Sequence, residues 1–451
     1  MGIGQKIAQV TPFFIRHIMA HNNGPYERLL QYLRVRPDIW IVSQGGYMTW
    51  WSQRDQTELI VTVSDGQCRV KTSLENAVIE KFPGTFLDEP VYNLPETTYS
   101  GPVWITIHQD VEKQDLLAEL LKREGILNIR VASEGDFILS QSEVGQTLDE
   151  IHERMDLGRV KPLEPLVLKI RQLVLDKLAA HNLPLFRIWY HPRLNGQIMK
   201  AAFSARYDVD RAISNLPAIR ALEEKYDVTS TLYIRTWCPF YTEQSVKELV
   251  SKPWCSEIAL HGEFVTHADQ FGGEVAAAVG EKEYLEQVSG RSVKGVAMHG
   301  GELTLNKSEQ TDEGTQIARF LYDTTVGPTR YYFPFKKIVR GEVSPVYNFP
   351  HAMSDVSLFP FRPEKVTVNG KTHRTHSLSK TLSYLNEPTV REYGRLFYET
   401  AVQTMEAVYA QNGIFVLTMH PSYFGFFSYL ARPKNWTPLV KFSLGYLKQS
   451  R

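Results

Sequence analysis

The stretch Ala201-Ala202-Phe203-Ser204-Ala205-Arg206-Tyr207-Asp208-Val209-Asp210 decides the fold. An apolar run of strand length ends in two carboxylates, two residues apart. Around it, strand and helix patterns alternate through Met199–Tyr207, Ala212–Glu224, Thr229–Arg235, Ser245–Leu249 and Glu257–Leu260. Such alternation predicts βα units and a parallel sheet or barrel. In these barrels the C-terminal strand ends carry the active site, and Asp208 and Asp210 fall there. One acid could bind a cation while the other takes a proton. Asp also favours the first position of a helix, a reading that needs no chemistry.

Further strands end in the same way. Glu257-Ile258-Ala259-Leu260-His261-Gly262 brings His261 to a strand tip, with His267 six residues on. That spacing is wrong for one helix face, where three or four is needed. It suits a loop that folds both imidazoles toward one ion, and neutral imidazole is a common metal ligand. Gly295-Val296-Ala297-Met298-His299-Gly300-Gly301 places His299 after a third strand. Gly413-Ile414-Phe415-Val416-Leu417-Thr418-Met419-His420-Pro421 places His420 at the tip of a fourth, which Pro421 stops. A lone His is usually structural or merely exposed. Four strand tips bearing Asp, His, His and His make coincidence less credible than any one does.

Toward the N-terminus the pattern changes. Leu166, Ile170, Leu173 and Val174 form the apolar stripe of a helical connector over 146–183. Residues 56–145 read as a small α/β module. It holds a hairpin turning at Asp65-Gly66, a strand at Val103–Ile107, a helix from Leu116 to Gly125 and a strand at Ile126–Ala132. Within 1–55, Tyr26, Leu29, Leu30 and Leu33 predict a helix, Ile39–Val42 a buried strand, and Tyr47, Trp50 and Trp51 a short helix. These aromatics read first as core packing. Residues 184–451 complete the division of a chain whose 451 residues exceed one ordinary core.

Lys+Arg and Asp+Glu are equal at 50 each, so no global field gathers nucleic acid or an acidic membrane surface. Three cysteines in no ligand spacing argue against a disulfide framework. No apolar h-region and no run of ~20 apolar residues is visible. The expectation is a soluble chain without a membrane span or a visible signal peptide, its compartment unspecified.

Residues 185–430 resemble the polysaccharide deacetylase superfamily, carbohydrate esterase family four, in a divergent branch with a D-x-D first motif. Ala201–Asp210 with Thr229–Tyr233 looks like that branch's first two strands. Glu257–Gly262 resembles its E-I-G-L-H-G element, Leu321-Tyr322-Asp323-Thr324-Thr325 its Y-D-S-T element, and Gly413–Pro421 its last strand and His. The resemblance implies a distorted (β/α) barrel with the smaller α/β module beside it. It also implies a metal-dependent hydrolase that removes acetyl groups from an N- or O-acetylated glycan. A divalent ion, with Zn²⁺ the first choice, would be held by Asp210 and His261 with His267 or His299. Asp208 would act as base and His420 as acid, although which Asp is base and which ligand stays open. Tyr331, Tyr332 and Phe333 would line a sugar groove, or simply pack the barrel.

Two departures stand out. Ala297 replaces the family's Arg before the third motif, which predicts a poorly oriented catalytic Asp, and the H-x-x-x-H spacing is absent. They favour the alternative of a catalytically impaired carbohydrate-binding or scaffold protein. In addition, residues 38–54 resemble the branch's terminal barrel element at the wrong end of the chain. Either the barrel is circularly permuted, or, the preferred reading, the chain is the C-terminal part of a tandem protein whose first barrel is cut, which implies a partner barrel or tandem domain.

Overall fold

The computed structural model describes residues 24–93, 184–210, 216–299, 309–325, 332–355 and 387–421, apart from positions 58, 65, 83, 90 and 341. It also describes Ile213 and short strands at 104–107, 129–131, 136–139, 364–368 and 371–375. The expected helix at 116–125, the connector 146–183 and Tyr331 lie outside the described residues.

A ten-stranded mixed sheet, curled into a half-barrel with flanking helices, organises the chain. Its strands are β1 (Ile39–Ile41), β2 (Ala201–Val209), β3 (Ser230–Ile234), β4 (Glu257–Gly262), β5 (Gly295–Met298), β6 (Tyr322–Asp323), β7 (Phe335–Val339), β8 (Glu342–Asn348), β9 (Met353–Ser354) and β10 (Ile414–Met419). The spatial order is β7-β8-β6-β5-β4-β3-β2-β10-β9, with β1 also paired to β2. Every neighbouring pair is parallel except β7 with β8.

All nine residues of β2 are buried, as a parallel strand covered on both faces requires. Phe203, Ala205, Tyr207 and Val209 face a core shared with the flanking helices, reaching Leu216, Ile219, Val246, Leu285 and Met405. The alternate residues face the barrel interior. There Ala202 of β2, Ala259 of β4 and Ala297 of β5 leave room for Tyr47, Met48 and Trp51. These three come from the helix α1 (Gln44–Gln56), so small strand residues and large helix residues interlock.

Residues 38–54 are therefore part of this barrel's own sheet and core. Ile39, Trp40 and Ile41 pair in register with Ala201, Ala202 and Phe203. The segment does not stand apart from the barrel with an exposed apolar face. The start of α1 is tied to the sheet as well. Ser43 caps it by accepting from Gly46 N. Gln44 N donates to Thr231 Oγ1 at 2.9 Å and Gly45 N to Glu257 Oε2 at 2.8 Å, so a carboxylate sits where the helix dipole favours one.

Outside the main sheet, Leu59–Ser64 and Gln67–Lys71 form the expected hairpin, with Gly66 at φ +72°. Ile129–Val131 adds to it in parallel. Ile79–Phe82 pairs antiparallel with Leu185–Ile188, ahead of β2 in the chain. Among the described residues, no helix is long and apolar enough to cross a membrane.

Candidate metal centre

Four of the six polar residues read from the sequence stand at C-terminal strand ends on one side of the sheet: Asp208 within β2, Asp210 just beyond it, His261 in β4 and His420 just beyond β10. His299 follows β5 and joins them, because its backbone N–H donates to Gly262 O at the end of β4.

Asp210, His261 and His299 form one cluster, their ligand atoms all within 4.8 Å of one another. His261 Nε2 lies 3.2 Å and His299 Nε2 3.7 Å from Asp210 Oδ1. A tetrahedral ion with bonds of ~2.05 Å spaces its donor atoms by roughly 3.3 Å. The orientation of each ring also matters. His261 Nδ1 is 2.9 Å from Ala297 O, a carbonyl that can only accept, so Nδ1 carries the proton and the lone pair of a neutral ring is on Nε2. His299 Nδ1 is likewise 3.0 Å from Glu263 Oε1. Both Nε2 atoms thus face a carboxylate oxygen. That oxygen, Asp210 Oδ1, is buried and meets no hydrogen-bond geometry, even where His261 approaches it. Three acceptors converging within 4.8 Å fit a cation between them.

His267 lies elsewhere. Its Nδ1 is 2.8 Å from Glu281 Oε1, and its ring stands edge-on to Trp237. The neighbouring carboxylate raises its pKa, with burial opposing. Glu281 also accepts from Glu263 N, so His267 helps fix the loop after β4.

Beside the cluster, Asp208 is buried and gripped by Arg206, two residues earlier on the same face of β2. Arg206 Nε donates to Oδ1 at 2.6 Å and Nη2 to Oδ2 at 2.7 Å. The remaining nitrogen donates to Thr324 O at 2.6 Å, and the guanidinium lies over the Tyr233 ring. Burial alone would raise the Asp208 pKa, but the Arg206 charge, followed by His261 and His420, holds it below the usual value. The expectation that Ala297 leaves this carboxylate unoriented is thus corrected: a clamp comes from its own strand.

His420 Nε2 lies 3.9 Å from Asp208 Oδ2. Asp355, following β9, accepts from both His420 N and Nδ1 at 2.7 Å. Burial works against a charged imidazole here, yet the Asp355 carboxylate, with Asp210 and Asp208, raises its pKa to about 10. Glu263 is held on the other flank by Arg235, with bonds of 3.0 and 3.1 Å. Burial opposes its ionisation, but His299 and Arg235 bring its pKa down to about 2.

Arg206, Glu263 and Asp355 went unnoticed in the sequence. Arg206 lies within the first motif and Glu263 adjoins the second, so proximity was the available signal; Asp355 follows a strand of only two residues. Tyr332 is buried beside Gly413, and Phe333 packs on Trp51 and Tyr190 in the barrel interior.

No protein-family model matches the chain, and no curated protein matches it. Among solved structures it is similar to a candidate polysaccharide deacetylase from Mycobacterium smegmatis, at TM-score 0.34 and 17% identity over 54% of this chain and 83% of that one. It is also similar to a candidate polysaccharide deacetylase involved in O-antigen biosynthesis from Bordetella bronchiseptica, at TM-score 0.30 and 13% identity over 52% and 82%. The likeness is distant, and the functional reading rests on the site itself.

Proposed function

We propose that this protein is a metal-dependent hydrolase that removes acetyl groups from an N- or O-acetylated glycan. The observation that carries the reading is the convergence of an acceptor-only Asp-His-His cluster with two separately clamped groups, Asp208 and His420. Asp210, His261 and His299 would hold a divalent ion, Zn²⁺ being well suited to two imidazoles and a carboxylate. Such an ion, when bound, lowers the pKa of water and polarises a carbonyl.

The chain's own residues supply the proton transfers. Asp208 stays ionised because Arg206 opposes its protonation, so it can accept a proton from the attacking water. Arg206 also fixes the direction in which that carboxylate points. His420, held charged by Asp355, can give a proton to the leaving group at neutral pH. An amide needs this help, since an amine anion is a very poor leaving group. Glu263 and Ala297 O keep the two imidazoles in the tautomer that presents Nε2 to the cluster.

The test is acetate release from an acetylated chitooligosaccharide by protein of measured metal content. Release that depends on bound metal is expected. No release by fully metal-loaded protein would refute the reading and favour a barrel that binds without turnover.

A further inference from the structure

A second concave surface lies at the other end of the strands. It is a groove of about 560 Å³ between the outer face of α1, the turn at residues 73–76 and Pro192–Leu194. Trp40, which helps line it, pairs with Ala202, six residues before Asp208. At ~3.3 Å per residue this puts it about 20 Å down the strand from the metal centre. The volume falls in the range of small-molecule sites, and the groove is open to solvent along its length.

The lining has a distinct chemistry. Trp40 and Trp50 stand edge to face, with ring centroids 6.4 Å apart. Trp50 is fixed by its Nε1–H, which donates to Tyr190 O at 3.0 Å. Around these rings lie the amides of Gln53, Gln56 and Asn76 and the hydroxyl of Thr49. Gln53 and Asn76 are exposed, and their side chains make no hydrogen bond to the described residues. The Asn76 turn is braced, since Arg193 N donates to Asn76 O at 2.8 Å. Among the described residues of the lining the one formal charge is Glu75, and just outside it Lys294 Nζ donates to the lining hydroxyl Thr49 Oγ1 at 3.4 Å.

We infer that this groove is a binding site for a neutral glycan chain, separate from the metal centre. A sugar ring offers an apolar C–H face that suits an indole and equatorial hydroxyls that suit amides. Glu75 and Lys294 at the groove's borders carry opposite charges, so no net field favours an ionic ligand over a neutral one. A purely apolar peptide would strand the amides without partners, at a cost. The inference does not rest on hydrolysis at the metal centre.

Isothermal titration of the full chain with chitohexaose and with cellohexaose tests it. Wild type is compared with Asp210→Asn/His261→Gln, with Gln53→Ala/Asn76→Gly and with Trp40→Ala. Glycine suits position 76, where φ is +57°. At least one hexasaccharide should bind saturably, and the metal-site substitutions should leave that binding in place. Loss of two amide contacts should weaken it about ten-fold. Melting curves check that the variants remain folded; the double variant alters exposed side chains only and decides if Trp40→Ala unfolds. Absence of binding by either sugar, loss of binding with the metal-site substitutions, or unchanged binding in the groove variants overturns the proposal. Acetate release, measured alongside, reads the metal centre, so failure of one site is distinguishable from failure of the other.

Discussion

Arg206 and Asp208 lie on one face of the same strand, and the guanidinium of the first grips both carboxylate oxygens of the second at 2.6 and 2.7 Å. A two-point grip fixes direction as well as charge. Arg206→Lys keeps the charge but loses the fork. It should lower turnover by about 10²-fold, the scale of an ångström's misplacement of a reacting group, and leave metal content unchanged. Turnover equal to wild type would show that the grip does not position the base.

The two aspartates should separate by function. Asp208→Asn should cut acetate release by ~10² to 10⁴-fold, the usual contribution of a general base, with metal still bound. Asp210→Asn should weaken metal binding itself, because it removes the carboxylate that both imidazoles face. Metal analysis beside turnover reads both. Full activity in both variants would remove these residues from the site.

Asp355 should matter through His420. Asp355→Asn removes a charge-assisted bond worth roughly 1.5–3 kcal/mol, so the imidazole gives up its proton at lower pH. Hydrolysis of an acetylated amine should fall about 10- to 100-fold, and an activated acetate ester should be affected far less. Equal loss on both substrates would count against His420 as the acid.

Glycine at position 45 reports on whether residues 39–56 belong to the barrel core. A Cβ there would sit 2.0 Å from Glu257 Oε1 and 2.7 Å from its Cδ. Gly45→Ala should destabilise the whole barrel by ~1–3 kcal/mol, the usual cost of overpacking. Thermal denaturation followed by tryptophan fluorescence measures it. An unchanged melting temperature would mean that α1 docks more loosely than described.

Glu223 provides a pH-dependent term away from the metal. It is buried and accepts from Tyr26, Tyr207 and Ser230. Burial raises its pKa, with these hydrogen bonds opposing. A carboxylate raised in the folded state contributes most below its unfolded value near 4.5, and stability is lost as pH rises through the folded pKa. Glu223→Gln should therefore gain on wild type between pH 4.5 and 7.5. A melting-temperature difference independent of pH would contradict this.

The sequence made β2, β4 and β10 legible because each is a short apolar run ending abruptly in a polar tip. Residues 38–54 are legible as a barrel element by resemblance alone. Only the pairing of Ile39–Ile41 with Ala201–Phe203 shows which barrel receives it. The metal-side histidines could not be ranked from spacing. The hydrogen bond from His299 N to Gly262 O aligns two strand ends 37 residues apart in number, and no local pattern encodes that. Asp355 was hidden for the same reason: its place beside His420 comes from the β9–β10 register, Ser354 opposite Thr418. Ala297 was read as a lost clamp. Its small side chain instead serves the packing of α1, and its carbonyl orients His261.

The central claim is that the Asp210-His261-His299 cluster supports metal-dependent deacetylation. Its most direct test is acetate release from chitohexaose by one preparation in three states: as purified, after chelation and dialysis, and after one equivalent of Zn²⁺ is restored. The account predicts release that falls to background on chelation and returns with the metal. Release that is unaffected by chelation, or absent from the fully Zn²⁺-loaded protein, would contradict it.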